Sequence, residues 1–439
     1  MGSKKTLIIV VVAAVLVIGA ILAFVFFRKP SAPEPFTVEF WGVFDNSDIY
    51  RPLIAKFQQQ YPFITINYYK KNVATYEKDL IDALAAGRGP DIFFINNAWL
   101  PKHIDKLSAA PESVITVKQI RDAFVDVVTQ DFIYKDNVYA LPLSVDTLAL
   151  FYNKDLLNSA GIASPPAIWD EFNADVELLT KKDAKNNILL AGATLGTAQN
   201  VNRSTDILSI LMMQGGAKMI SDDKRMAAFD QGVSAANSQT IYPGEIALLF
   251  YTNFANPVKK VYTWNSYQHY SLDAFVEGKA AMMISYSYQI PLIRARSPHL
   301  NFAVAALPQI SKNSRAMSLA NYWGLAASKT SKHPGYAWTF MNFLASQENL
   351  KAYLEVAQKP SARRDLIDWQ SSDENLGVFA RQALIAKSWW EVDNLAIETI
   401  FAQMIESVVA NKTTIKEAIQ GASQQITLLM QQKQQAGGQ

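Results

Sequence analysis

From residue 36 onward the chain alternates between short period-two runs and longer helical stripes. FTVEFW places Val38 and Phe40 on one face of a strand and runs into Gly42 and the loop Val43-Phe44-Asp45-Asn46. Leu53, Ile54, Phe57 and Tyr61 then recur at helical spacing, and Pro62 closes that helix. Residues 64–69 alternate again. A helix is predicted over 76–86, with Leu80, Ile81 and Leu84 in one stripe and Gly87 placed as its cap. Gly89-Pro90-Asp91 leads into Ile92-Phe93-Phe94-Ile95, a wholly apolar run of the kind buried on both faces. Strand, helix, strand, helix, strand is the rhythm of a parallel sheet with crossover helices.

Two strand ends stand out. The run at 92–95 stops in Asn96-Asn97-Ala98-Trp99, which puts amides and an indole at a strand's carboxyl end. Those amides are either turn residues or ligand groups. Residues 264–308 carry a helical pattern (Leu272, Phe275, Val276), a Gly-Lys turn, an apolar run at 280–284 and then Ser285-Tyr286-Ser287-Tyr288. A buried strand ending in tyrosines fits the floor of a ligand cleft, because strand ends are where α/β sheets bind ligands. The alternative is that both tyrosines are half-buried packing.

The first 35 residues follow a different pattern. After Lys4 and Lys5, residues 7–27 carry no charge and a single glycine, and Arg28-Lys29 follows. Twenty-one apolar residues match a bilayer core. The run is longer than a cleaved signal peptide needs and ends Phe24-Val25-Phe26-Phe27, a poor cleavage site. We therefore expect an uncleaved signal anchor at 1–29, with the body outside the cytoplasm. Two basic residues flank each side, so the positive-inside rule leaves the orientation nearly tied. Residues 30–35 hold three prolines and form a stiff spacer.

Composition narrows the function classes. A chain of 439 residues is long for one core, so two or three domains are expected. The formal charge of +2 comes from the N-terminus; beyond it stand 37 basic against 39 acidic residues, with no Lys/Arg run to follow a nucleic-acid backbone. Cysteine is absent, which excludes disulfide scaffolds, thiol nucleophiles and Cys-ligated zinc. No EF-hand-like loop appears, and neither a metal nor a cofactor is expected.

The segments QQQYP, ALAAGRGPDIFFI, YALPLSVDTLALFYNKDLLNSAG, PPAIWDEF, GKAAMMISYSYQIPLI, FAVAALP, YWGLAASKTSKHPGYAWTFMNFLAS and TTIKEAIQGASQQI follow one another in an order that resembles the extracellular solute-binding proteins of carbohydrate ABC transporters. Maltose-binding protein is the best-known relative. The resemblance covers residues 36 to about 429. It implies an α/β, two-lobed periplasmic-binding-protein-like fold after the N-terminal transmembrane helix. By that likeness residues 36–143 plus 324–386 form one lobe and residues 144–323 plus 387–439 the other. It further implies a monomer that holds a carbohydrate between its lobes and hands it to ABC transporter permease subunits. Leu141-Pro142-Leu143-Ser144 reads independently as an extended hinge crossing.

The likeness also nominates a site. Asp45 and Asn46 fall on the loop after the opening strand, and Asn96, Asn97 and Trp99 on the first-lobe binding loop. Asp146 falls where relatives place a cleft carboxylate, suited to accept two sugar hydroxyls; otherwise it caps a turn. Tyr286 and Tyr288 stand where relatives carry Gly-x-Trp, so a stacking aromatic is kept while the tight glycine turn is lost. Trp389 and Trp390 resemble a late aromatic that closes over the ligand, and Tyr322 sits at the second crossing. Aromatic planes suit pyranose C–H faces, and amides and carboxylates suit their hydroxyls. The rival reading is a glycosidase using Asp45 and Asp146 across a cleft. No HExxH or GxSxG supports an enzyme, and the four histidines lie far apart. A third reading is a tethered carbohydrate sensor or adhesion module that works without a permease.

Overall fold

The computed structural model describes residues 34–234 and 239–437, together with Ile9 and Ala13. The apolar run at 7–27 and most of the proline spacer therefore lie outside the described residues. Among the described residues no helix is long and apolar enough to cross a membrane.

The chain opens with β1 (Phe36–Gly42), α1 (Ser47–Gln60), β2 (Ile64–Lys70), α2 (Tyr76–Ala85) and β3 (Ile92–Asn96). Two short strands follow, β4 (Leu107–Ser108) and β5 (Leu141–Pro142). The chain then builds β6 (Ala149–Asn153), β7 (Lys181–Lys182), β8 (Ile188–Ala193), α3 (Ser204–Gln214), β9 (Ala280–Ser285) and β10 (Phe302–Ala305). It returns through β11 (Trp323–Ser328) and ends in the long helices α4 (Asn394–Val409) and α5 (Ile415–Gly437).

These strands make two sheets. The first runs β2-β1-β3-β11-β4, with β5 also paired to β11. β1 is parallel to both β2 and β3, while β11 lies antiparallel to β3. All five residues of β3 are buried, as its unbroken apolar run requires at the centre of a covered sheet. The second sheet runs β10-β6-β9-β8-β7, and β9 is likewise buried throughout.

Each sheet has its own core. The first contains Val38 to Val145 and resumes from Ala320 to Ala386; the second contains Leu148 to Leu319 and resumes at Trp389. The chain thus changes core three times, within residues 145–148, 319–320 and 386–389. The helix Gly377–Ala383 is shared. Its Ala380 and Ala383 belong to the first core, while Phe379 packs beside Phe151 of the second lobe.

The three crossings are bound to one another. Thr147 bridges Ala320, the Leu148 N–H donates to the Leu319 carbonyl, and the Ala320 N–H donates to the Lys387 carbonyl. Two of the crossings, Ser318–Leu319 and Ala386–Lys387, pair as a small parallel two-stranded sheet, so the crossings satisfy backbone groups of one another. Asp146 fixes the first crossing. Its Oδ1 accepts from the Thr147 and Ser287 N–H groups, and its Oδ2 from Ser287 Oγ and the Tyr288 N–H.

Gly324 marks how tightly β11 is packed. A Cβ there would sit 2.6 and 2.8 Å from two ring carbons of Phe132 and 3.0 Å from Ala140 Cβ. Gly324→Ala is expected to cost about 1–3 kcal/mol through overpacking. Urea denaturation checks this, and a loss within about 0.5 kcal/mol would mean that the Phe132 ring yields freely.

Candidate functional site

Polar side chains from both lobes gather around a small cavity of about 50 Å³ between the two cores. Its first-lobe wall is the end of β3. Asn96 caps the turn after the strand by accepting from the Ala98 N–H, and its Nδ2 donates to Asn321 Oδ1 at 3.0 Å. Asn97 Nδ2 donates to Asp131 Oδ2 at 3.1 Å, and Asn97 Oδ1 accepts from the Tyr322 N–H. Asp131 also accepts from the Tyr322 hydroxyl at 2.9 Å and from Ser388 Oγ. Burial raises the Asp131 carboxyl to about 7, against the pull of these hydrogen bonds.

The opposite wall is the start of α3. Arg203 precedes it in the left-handed conformation (φ 58°), and its Nε donates to the Tyr288 hydroxyl at 3.2 Å. Asp206, in the first turn, accepts from the Tyr286 hydroxyl at 2.7 Å. The third wall runs from Trp389 into α4, which contributes Asn394, Ile397, Glu398 and Phe401. Asn394 and Glu398 are four apart and share a helix face. Trp389 is stacked near Phe401, with ring centres 6.1 Å apart. Glu391 stands between Trp389 and α4. Burial pushes its carboxyl well above the ordinary range, and Asp206, Glu398 and Asp131 add repulsion. Burial and Asp206 raise Glu398 too, with Arg203 opposing.

Two buried polar atoms in this wall have no hydrogen-bond partner among the described residues: the Trp389 indole nitrogen and Asn394 Oδ1. Buried polar groups are almost always satisfied, so unmatched groups lining a cavity point to a missing partner. A second space of about 490 Å³ adjoins the first and shares Asn97, Ala98, Ser388, Trp389 and Glu391 with it. Trp390 lines this annex, with the Lys224 ammonium 3.8 Å from its ring centre.

Of the eleven residues read from the sequence, the cavity gathers Asn96, Asn97 and Trp389, and the annex adds Trp390. The others lie elsewhere, each for a physical reason. Asp45 is buried in the first lobe, where it accepts from the Tyr50 and Tyr353 hydroxyls and pairs with Lys359 at 2.6 Å. Asn46 is exposed and accepts from Lys70. Trp99 turns back beneath β3 into the first core, edge-on to Trp323 with ring centres 4.8 Å apart. Tyr322 is buried and its hydroxyl is held by Asp131.

Asp146 has its four acceptor positions filled by the chain itself, so it secures the crossing and has no capacity left for sugar hydroxyls. This also removes both carboxylates of the glycosidase alternative from the cleft. Tyr286 is fully buried in the second core and serves through its hydroxyl, not its ring face. Tyr288 is half exposed and stacks on Tyr286, reaching the cavity only through Arg203.

Sequence reasoning missed Arg203, Asp206, Glu391, Asn394 and Glu398. A signal existed for two of them: in WWEVDNLAIE the spacing of Asn394 and Glu398 puts both on one face, just after the tryptophans already singled out.

At the mouth, Lys102 joins the lobes. Its Nζ lies 2.8 Å from Glu77 and 3.5 Å from Asp393, the N-cap of α4.

With this geometry in place, comparison with known proteins is informative. Residues 44–351 match the family model of the bacterial extracellular solute-binding proteins. A protein of Brucella abortus (strain 2308) named only as a binding protein is 24% identical over 366 residues, covering 79% of this chain and 82% of its own. The maltotriose-binding protein of Pyrococcus abyssi is 24% identical over 275 residues, 63% of this chain and 52% of that protein. Among solved structures, the sugar-binding protein MalE of Xanthomonas citri superposes with a TM-score of 0.74 at 21% identity, over 92% of this chain and all of that one. At that identity the likeness is one of fold.

Asp146→Ala leaves three backbone N–H groups and a hydroxyl without their acceptor. We expect a loss of roughly 3 kcal/mol in urea denaturation at neutral pH; a loss under about 1 kcal/mol would contradict the structural role. Glu77 supplies a pH test. Burial alone would raise its carboxyl, but hydrogen bonds from His103 and Lys102 outweigh burial and hold it at about 2, below its ordinary value of 4.5. Its folded pKa is depressed, so its contribution is complete above about 4.5 and fades as pH falls toward about 2. The stability gap between the native chain and Glu77→Gln should therefore be present at pH 7 and close on acidification. A gap that is constant with pH would contradict this assignment.

Proposed function

Because the chain belongs to the bacterial extracellular solute-binding protein family, we propose that it captures a sugar or oligosaccharide between its lobes and presents it to an ABC transporter permease. One observation carries this reading. A cavity between two separate cores is lined by a buried indole, amides and carboxylates, two of whose polar atoms await partners. A pyranose supplies what these groups lack. Its hydroxyls can accept from the Trp389 N–H and donate to Asn394 Oδ1 and to the carboxylates, while its C–H faces lie against Ile397 and the aromatic rings. The names of relatives, among them the maltotriose-binding protein, favour the same ligand class.

The mechanism is binding without chemistry. The three crossings act as the hinge, closure buries the sugar, and the closed form is the one a permease recognises. The Lys102–Asp393 contact at 3.5 Å would form on closure and favour the liganded state. In this reading the apolar run at 7–27 tethers a monomeric body to the outer face of the membrane.

Trp389 makes the proposal measurable. Titrating the full-length, detergent-solubilised chain with mono-, di- and oligosaccharides is expected to change tryptophan fluorescence with micromolar or tighter affinity. Trp389→Ala should weaken binding at least tenfold, about 1.4 kcal/mol. If no saccharide changes either fluorescence or melting temperature, the ligand class is wrong.

A further inference from the structure

We infer that the sugar selected by this cleft carries a positively charged amino group. The inference rests on the sugar reading above and adds a chemical class to it. The cavity is lined by three carboxylates, Asp206, Glu391 and Glu398, against one guanidinium, that of Arg203. Asp206 is already matched, since it accepts from the Tyr286 hydroxyl at 2.7 Å and faces Arg203. Glu391 and Glu398 are not. Among the described residues neither accepts a hydrogen bond from another side chain nor pairs with a cation within 4.0 Å, and both are open to solvent, Glu391 in part. The starts of α3 and α4 offer partial positive charge there, and the Arg203 guanidinium attracts Glu398 without pairing with it.

Glu391 is half-buried and Glu398 exposed, so water reaches both; neutral hydroxyls would replace that water as donors, yet leave the like charges side by side once closure shuts it out. A single ammonium among them answers both needs, giving charge-assisted hydrogen bonds and cancelling the repulsion. Burial first, and then repulsion from neighbouring carboxylates, raises the carboxyls of Glu391 and Glu398. The second observation is independent of charge. The Trp389 indole nitrogen, on a side chain 8% exposed, lines the same cavity without a partner and needs an acceptor. An ammonium ion alone offers none. A molecule presenting hydroxyl oxygens to Trp389 and an amino group to Glu391 and Glu398 fits both, and an amino sugar is such a molecule.

The test uses matched saccharides that differ only at the nitrogen. Calorimetry of the full-length chain would compare glucosamine with glucose and N-acetylglucosamine, and the β-1,4-linked glucosamine dimer with cellobiose and the N-acetylated dimer. We expect the amino form to bind at least tenfold more tightly than both neutral counterparts. The isosteric double variant E391Q/E398Q should reduce that preference below threefold. If the double variant does not fold, the comparison of ligands on the native chain still decides. Equal or tighter binding of a neutral sugar overturns the amino assignment and leaves the sugar reading standing, as does a preference that survives in E391Q/E398Q. Binding of no saccharide at all overturns the sugar reading and this inference together.

Discussion

Three chain crossings meet beneath the cleft, and the carboxylate of Asp131 ties two of them to the end of β3. It holds Asn97, the Tyr322 hydroxyl and Ser388 at once. Without that acceptor, three buried donors on separate segments would lose their partner together. The helix Asp126–Phe132, which carries Asp131, adds Gln130, whose amide donates to Ser388. Because Ser388 immediately precedes Trp389, the position of the cavity's indole depends on this knot. Asp146 plays the matching part on the other side by fastening the first crossing to the loop after β9.

This arrangement explains how a cleft can stay wet and polar between two dry cores. Each lobe closes its own apolar surface, with large aromatics such as Phe40 and Trp338 in one and Trp264 and Tyr251 in the other. The crossings therefore need not carry hydrophobic stabilisation. They are free to be polar, hydrogen-bonded to one another, and to change angle at few residues. The groups left over at their ends, from Asn96, Asn394, Trp389 and the carboxylates, face the space between.

The periodic elements were legible because their pattern and their burial coincide. Val38 and Phe40 face inward from β1, Leu80 and Leu84 from α2, and β3 is buried at every position. The strand-end asparagines were legible for the same reason, since a buried strand that stops in amides must place them where the core stops. The tyrosines after β9 could not be placed from the sequence, which does not reveal side-chain direction. Tyr286 follows the strand inward, and only its hydroxyl emerges toward Asp206. The structural part of Asp146 was hidden because three of its four partners, the Ser287 and Tyr288 N–H groups and the Ser287 hydroxyl, lie 141 or 142 residues away, invisible to local pattern. Arg203 and Asp206 were missed because they sit at the start of a helix whose remaining residues are nearly all buried and dominate its signal.

The central claim is that ligand is held between the lobes, against Asn96–Ala98 on one side and Trp389–Glu398 on the other. Hydrogen exchange of the full-length chain, with and without a saturating saccharide from the fluorescence screen, tests it directly. The account predicts slowed exchange in 96–98, 203–206 and 389–398, with the rest of the two sheets unchanged. Protection confined elsewhere, for example to the separate hollow between Thr252 and Thr413, would contradict it.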